Sequence, residues 1–205
     1  MLNAYGLRAA HAVGVSAGGA IAQLLALDFA DRVLSLVLIS TSPATPVDRG
    51  LPPPTAEFSR IVAGALVGWS DRESMIEYLV RCSRQLAGGQ RPFGAAGWGD
   101  LLRRDVERSD SFASLQNHDV MAHDDGPHPQ LSSIAAPTLV IHSTADPMFP
   151  VGHGQALADE IPGATFLRLD GAGDGVDPAD WATIVPAIIH HTATAVPGIE
   201  TPPTP

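Results

Sequence analysis

The sequence predicts an α/β protein: a parallel sheet of about four strands, flanked by helices and interrupted by a helical insert. Three observations predict it. Four short apolar runs alternate with amphipathic stretches. The run VLSLVLIST (residues 33–41) is almost continuously apolar, as a strand covered on both faces must be. Between residues 55 and 130 the strand signal vanishes and helical spacing takes over. A chain of 205 residues with 45 % hydrophobic content is long enough for one domain with its own core.

In chain order, residues 10–15 (AHAVGV) read as the first strand. Residues 18–31 read as a helix whose Ile21, Leu24, Leu25 and Phe29 form an apolar stripe. The second strand covers 33–41, and five prolines with a glycine make 43–54 a loop. Ser70 followed by Glu73 has the spacing of a capping box, with Met75, Ile76, Leu79, Val80 and Leu86 continuing at helical steps. Further helices are expected at 98–108 and 111–122. PTLVIHSTADP (137–147) gives a third buried strand with a polar exit. A helix at 151–161, a strand at 165–169 and a helix at 178–192 complete the pattern. The tail AVPGIETPPTP has no apolar pattern, and disorder is expected over 193–205. Strands that alternate with helices in this way form a parallel sheet, and such sheets bind ligands at the strands' carboxyl ends. The tips to inspect are Ser16, Thr41–Pro43, Ser143–Asp146 and Gly171–Gly175.

Composition excludes several classes. The formal charge of −10 disfavours nucleic acid or an anionic membrane as partner, since both need clustered cations. Residues 9–27 carry no charge, but His11, Ser16, Gln23 and glycines at 14, 18 and 19 do not suit a spanning or export segment. One cysteine, Cys82, forbids an internal disulfide and fits a cytoplasmic location. His118, His123, Asp124, Asp125 and His128 cluster in the insert without the spacing of a metal site, so no metal is expected there.

At the first tip, Gly14-Val15-Ser16-Ala17-Gly18 fits G-x-S-x-G between strand and helix. Glycines on both flanks permit a sharp turn that lifts Ser16 at the positive end of the helix. The Ala17 N–H would then face a developing oxyanion. At the third tip, Asp146 is positioned to orient an imidazole, or to close an Asx turn before Pro147, or both.

With GVSAGG, LLALDFADRVLSLVLIST, PTLVIHSTADPMFP and LADEIPGATFLRLDGAGDG in this order, the chain resembles the α/β-hydrolase fold family. Its tone is that of the aclacinomycin-methylesterase-like serine esterases. The resemblance covers about residues 1–192. It implies a nucleophile at Ser16, an acid at Asp146, a core from 1–43 and 131–192, and a lid over 44–130. It also implies hydrolysis of small-molecule carboxylic esters without a cofactor.

Two departures bear on activity. Where the family carries a histidine after the last strand, this chain has Asp174 between Gly173 and Gly175. A carboxylate of ordinary pKa, about 3.9, is a weaker base than imidazole at about 6.5. Loss of one triad member typically costs about 10⁴–10⁶ in turnover. The other histidines weighed as a substitute base are His142, near the third tip, and His153, which opens the next helix, whereas His11, His190 and His191 read as structural or surface groups. The second departure is the start. The family has strands ahead of the serine strand, so the chain is expected to be N-terminally truncated. That leaves an apolar edge strand open to a second copy or a complementing chain. Two readings therefore stand: an impaired serine hydrolase, or a catalytically inactive remnant or binding module that needs a partner.

Overall fold

The structure, a computed structural model, describes residues 2–45, 48–63, 71–109 and 130–195. Four strands form one parallel sheet in the order β1-β2-β3-β4: Ala10–Val15, Val33–Ile39, Thr138–Ser143 and Thr165–Leu169. Helices α1 (Ala17–Asp28), α5 (Gly152–Glu160) and α6 (Trp181–Thr194) cover it, and α2 (Ala56–Ala63), α3 (Arg72–Leu86) and α4 (Ala95–Arg108) form the insert between β2 and β3.

The two-residue period of a strand separates two cores. Leu36 and Leu38 of β2 and Val140 of β3 pack with Ala22 and Ala26 of α1 and Leu157 of α5. On the opposite face Val37, Ile39, Leu139 and Ile141 pack with Ile184 of α6. This is why β2 is apolar along nearly its whole length. The insert has a core of its own, made of Met75, Ile76 and Leu79 from α3 and Val106 from α4.

Several local expectations need correction. The stripe of Ile21, Leu25 and Phe29 is not the face that α1 buries: these residues are 58 %, 40 % and 55 % exposed. Gly19, Ala22, Gln23 and Ala26 face the sheet instead. Small side chains let the helix lie close over β1, and Gln23 satisfies its amide on the Gly19 and Ser42 carbonyls while accepting from the Ala44 N–H. The cap of α3 is Asp71 rather than Ser70, which lies outside the described residues; the Asp71 carboxylate accepts the Ser74 N–H. Helix α4 begins three residues earlier than its apolar spacing suggests, behind Gly94 as N-cap. The last helix starts at Trp181, after a 3-10 turn over Pro178–Asp180 that Asp177 caps, and runs on to Thr194. The expected helix at 111–122 and the residues 196–205 lie outside the described residues.

β1 is a terminal strand of the sheet, paired with β2 alone. Its Val13 and Val15 are 51 % and 41 % exposed. Among the described residues no helix is long and apolar enough to cross a membrane.

Candidate active site

Ser16 stands at the junction of β1 and α1, with φ 52° and ψ −121°. An L-residue with a Cβ adopts that conformation only when its surroundings enforce it, at a cost of about 1–3 kcal/mol. The surroundings here are specific. The Ser16 N–H donates to the Ile39 carbonyl of β2 at 3.0 Å. The Ser16 carbonyl accepts from the Gly19 N–H at 2.9 Å and from the Thr41 hydroxyl at 2.8 Å. Although Ser16 occupies the N-cap position, its side chain makes no capping bond, so the hydroxyl remains uncommitted at the positive end of a helix. Ala17 is the first residue of α1, where a backbone N–H has no acceptor within the helix.

The glycines act by close approach, and one of the two expected flanks is the wrong one. A Cβ on Gly14 would run into the backbone of Gly18 and Gly19. A Cβ on Gly18 would meet nothing within 4 Å. The glycine that must be small after the serine is Gly19, where a Cβ would fall 2.6 Å from the Thr41 methyl.

Asp146 is 3 % exposed, just beyond β3. Its Oδ1 accepts the N–H groups of Met148 and Phe149 at 2.9 and 2.8 Å, so the Asx-type turn forms. Its Oδ2 has no hydrogen-bond partner and lies 3.4 Å from Nε2 of His142, which is fully buried. That Nε2 donates to the Phe149 carbonyl at 2.6 Å. The imidazole beside Asp146 is therefore supplied from within β3, not from the loop after β4. His153 is buried too, bonded to the Ser42 hydroxyl at 2.8 Å and the Pro52 carbonyl at 2.9 Å, and so ties down the loop after β2. His11 bonds Ser35 at 2.7 Å and is structural.

Asp174 sits in the loop after β4. Its N–H donates to the Leu86 carbonyl at the end of α3, at 2.7 Å. Its Oδ1 is buried without a hydrogen-bond partner. Burial, then the nearby Asp146 carboxylate, push its pKa from the ordinary 3.8 up to about 7; His142, the Gly175 N–H and the Ser40 hydroxyl pull the other way. At about 7 its pKa lies near that of an ordinary imidazole rather than at the 3.8 of an unperturbed carboxyl. Ser40, at the end of β2, connects the two halves of the site. It has φ 44° and its hydroxyl accepts the Gly175 N–H at 3.0 Å, while the next residue, Thr41, bonds the Ser16 carbonyl. The turn bearing Ser16 and the loop bearing Asp174 are both fastened to the tip of β2.

Beside Asp174 lies a cavity of about 240 Å³, lined among others by Leu86, Phe93, Trp98, Val176 and Asp180. Phe93 and Trp98 stack at 6.0 Å and 13°. Phe58 is buried, and Trp69 and Phe112 lie outside the described residues, as do the insert's histidines. Arg91 is held by both oxygens of Asp180, at 2.7 and 2.8 Å. Among the described residues no group of three or more His, Cys, Asp or Glu is placed to hold a metal ion.

Comparison with known proteins agrees with this fold. Residues 1–74 match the family described as alpha/beta hydrolase fold. Rhodomycin D methylesterase DauP of Streptomyces sp. strain C5 is 29 % identical over 95 % of this chain and 70 % of its own length. Among solved structures, an esterase from Rhodococcus sp. is 25 % identical over 92 % of this chain and 68 % of that one, with a TM-score of 0.64. A 2-hydroxy-6-oxo-6-phenylhexa-2,4-dienoate hydrolase from Rhodococcus sp. strain RHA1 superimposes with a TM-score of 0.68 at 20 % identity, over 93 % of this chain and 66 % of that one. The chain thus spans about two thirds of the length of the proteins it matches. With sheet order, family match and solved structures in agreement, the chain has the α/β-hydrolase fold and is similar in sequence to esterases.

Proposed function

We propose that this chain hydrolyses small-molecule carboxylic esters through an acyl-enzyme on Ser16, with Asp174 as the proton-transferring base. The strained turn at Ser16, with its hydroxyl free of capping duty, is the observation that carries the reading. The ionised Asp174 carboxylate takes the Ser16 proton as Oγ attacks the ester carbonyl. The Ala17 N–H stabilises the oxyanion. On collapse, the departing alkoxide receives that proton from Asp174 and leaves as the alcohol. Water then attacks the acyl-serine by the same route and releases the acid. Burial, and after it repulsion from Asp146, holds Asp174 basic. A carboxyl is shorter than an imidazole and reaches less far, so turnover is expected to fall below that of a histidine-bearing relative.

The insert over 44–130 serves as the lid in this reading. In support, the end of α3 is pinned to the site: a Cβ on Gly173 would sit 2.6 Å from the Ala87 Cα, and the 240 Å³ cavity opens between α3, Trp98 and the Asp174 loop. The deciding experiment is the pH profile of kcat/KM for p-nitrophenyl butyrate. It should rise with pH through a limb near 7 as Asp174 ionises. A profile with no limb between pH 5 and 8 would remove Asp174 as the base.

The open edge of β1, with Val13 and Val15 bare, supports association with a second copy or a complementing chain. Sedimentation velocity should then show a species larger than the 21.3 kDa monomer, and Val13→Lys should diminish it. A monomer at every concentration would discard this reading. The single Cys82 remains the support for a cytoplasmic location.

A further inference from the structure

We infer that Thr41, at the exit of β2, is a positioning residue that fixes and polarises the oxyanion-binding amide. The inference rests on the reading of Ser16 as nucleophile and Ala17 as oxyanion donor. The Ser16 carbonyl and the Ala17 N–H belong to one peptide plane, so whatever holds the carbonyl aims the N–H. The Thr41 hydroxyl donates to that carbonyl at 2.8 Å. A hydrogen bond accepted by an amide oxygen draws electron density from the nitrogen and makes the N–H of the same amide a stronger donor.

The placement is built rather than incidental. Thr41 is 1 % exposed. Its side chain fills the notch that Gly19 leaves by lacking a Cβ, with Cγ2, Cβ and Oγ1 all within 2.8 Å of where that atom would be. Its neighbours are fixed on both sides. The Ser40 N–H donates to the Ile141 carbonyl at 3.1 Å. The Ser42 carbonyl accepts from Gln23 at 3.0 Å and its hydroxyl bonds His153 at 2.8 Å. Gln23 and His153, polar groups buried without a role in proton transfer, brace the segment that carries Thr41. The Ser16 carbonyl also accepts from the Gly19 N–H, so loss of the hydroxyl does not orphan it.

The test compares Thr41→Val, which keeps the shape and removes the donor, with Thr41→Ser, which restores the donor. Thr41→Val should lower kcat for p-nitrophenyl butyrate about tenfold with KM little changed and an unaltered fraction of active molecules by burst titration. Thr41→Ser should recover most of the loss. In the amide NMR spectrum, Thr41→Val should move the Ala17 proton upfield while Val37 and Leu139 in the sheet stay in place, a readout independent of turnover. An unmoved Ala17 resonance, an unchanged kcat, a loss seen only as fewer active molecules, or a Thr41→Ser variant as poor as Thr41→Val would each overturn the inference. Ser16→Ala is the separate control: if it stays active, the nucleophile assignment fails, whatever Thr41 does.

Discussion

Asp174→Asn is expected to lower kcat by about 10²–10⁴, the usual contribution of a general base, and to raise the stability of the fold at alkaline pH. The two effects have one cause. Burial and Asp146 set the Asp174 pKa at about 7 in the folded chain against 3.8 when unfolded. The folded state therefore binds this proton more tightly than the unfolded state does. Stability is greatest while the carboxyl is protonated in both states, declines as pH rises from about 4 through about 7, and levels off above. By linkage the deficit at full ionisation is on the order of 4 kcal/mol. An uncharged amide of the same shape escapes it. Urea unfolding at pH 9 should give Asp174→Asn the higher midpoint, and the gap should close toward pH 4. A variant that loses turnover without gaining stability at pH 9 would mean that Asp174 is not the buried, repelled carboxyl described. Chemistry at the expense of stability is what separates a working site from ordinary packing.

Ser16→Gly is expected to abolish ester turnover and to raise stability by about 1–3 kcal/mol. Glycine adopts φ 52°, ψ −121° without the Cβ contacts that oppose it in serine. Ser16→Ala keeps the Cβ, so it should lose turnover equally while its unfolding midpoint stays near that of the parent. The pair separates the hydroxyl from the backbone. Equal midpoints for the glycine and alanine variants would mean that the turn stores no strain.

The sheet was legible because each strand carries its own signal. The unbroken apolar run of β2 requires cover on both faces, and the cores on its two sides supply it. The Ser16 turn was legible because glycine spacing at a strand-to-helix junction has few other uses. The buried face of α1 was not, because hydrophobic periodicity ranks Ile21, Leu25 and Phe29 above Gly19, Ala22 and Ala26, whereas close approach to β1 selects for small size. The contact of His142 with Asp146 was not legible, because a four-residue spacing brings side chains together in a helix, whereas here the turn after β3 folds Asp146 back. No pattern in the sequence reports the basicity of Asp174, since it arises from burial and from a carboxylate 28 residues away in the chain. Thr41 was visible only as a polar strand tip; its bond to the Ser16 carbonyl needs the register of β1 against β2, which pairs Val15 with Ile39.

The most direct measurement is the mass of the intact protein after exposure to a fluorophosphonate, followed by peptide mapping. One phosphonyl group should be added per chain, on the peptide that contains Ser16, and Ser16→Ala should take up none. Label on another residue, or none on a correctly folded parent chain, would contradict the assignment of Ser16 as nucleophile.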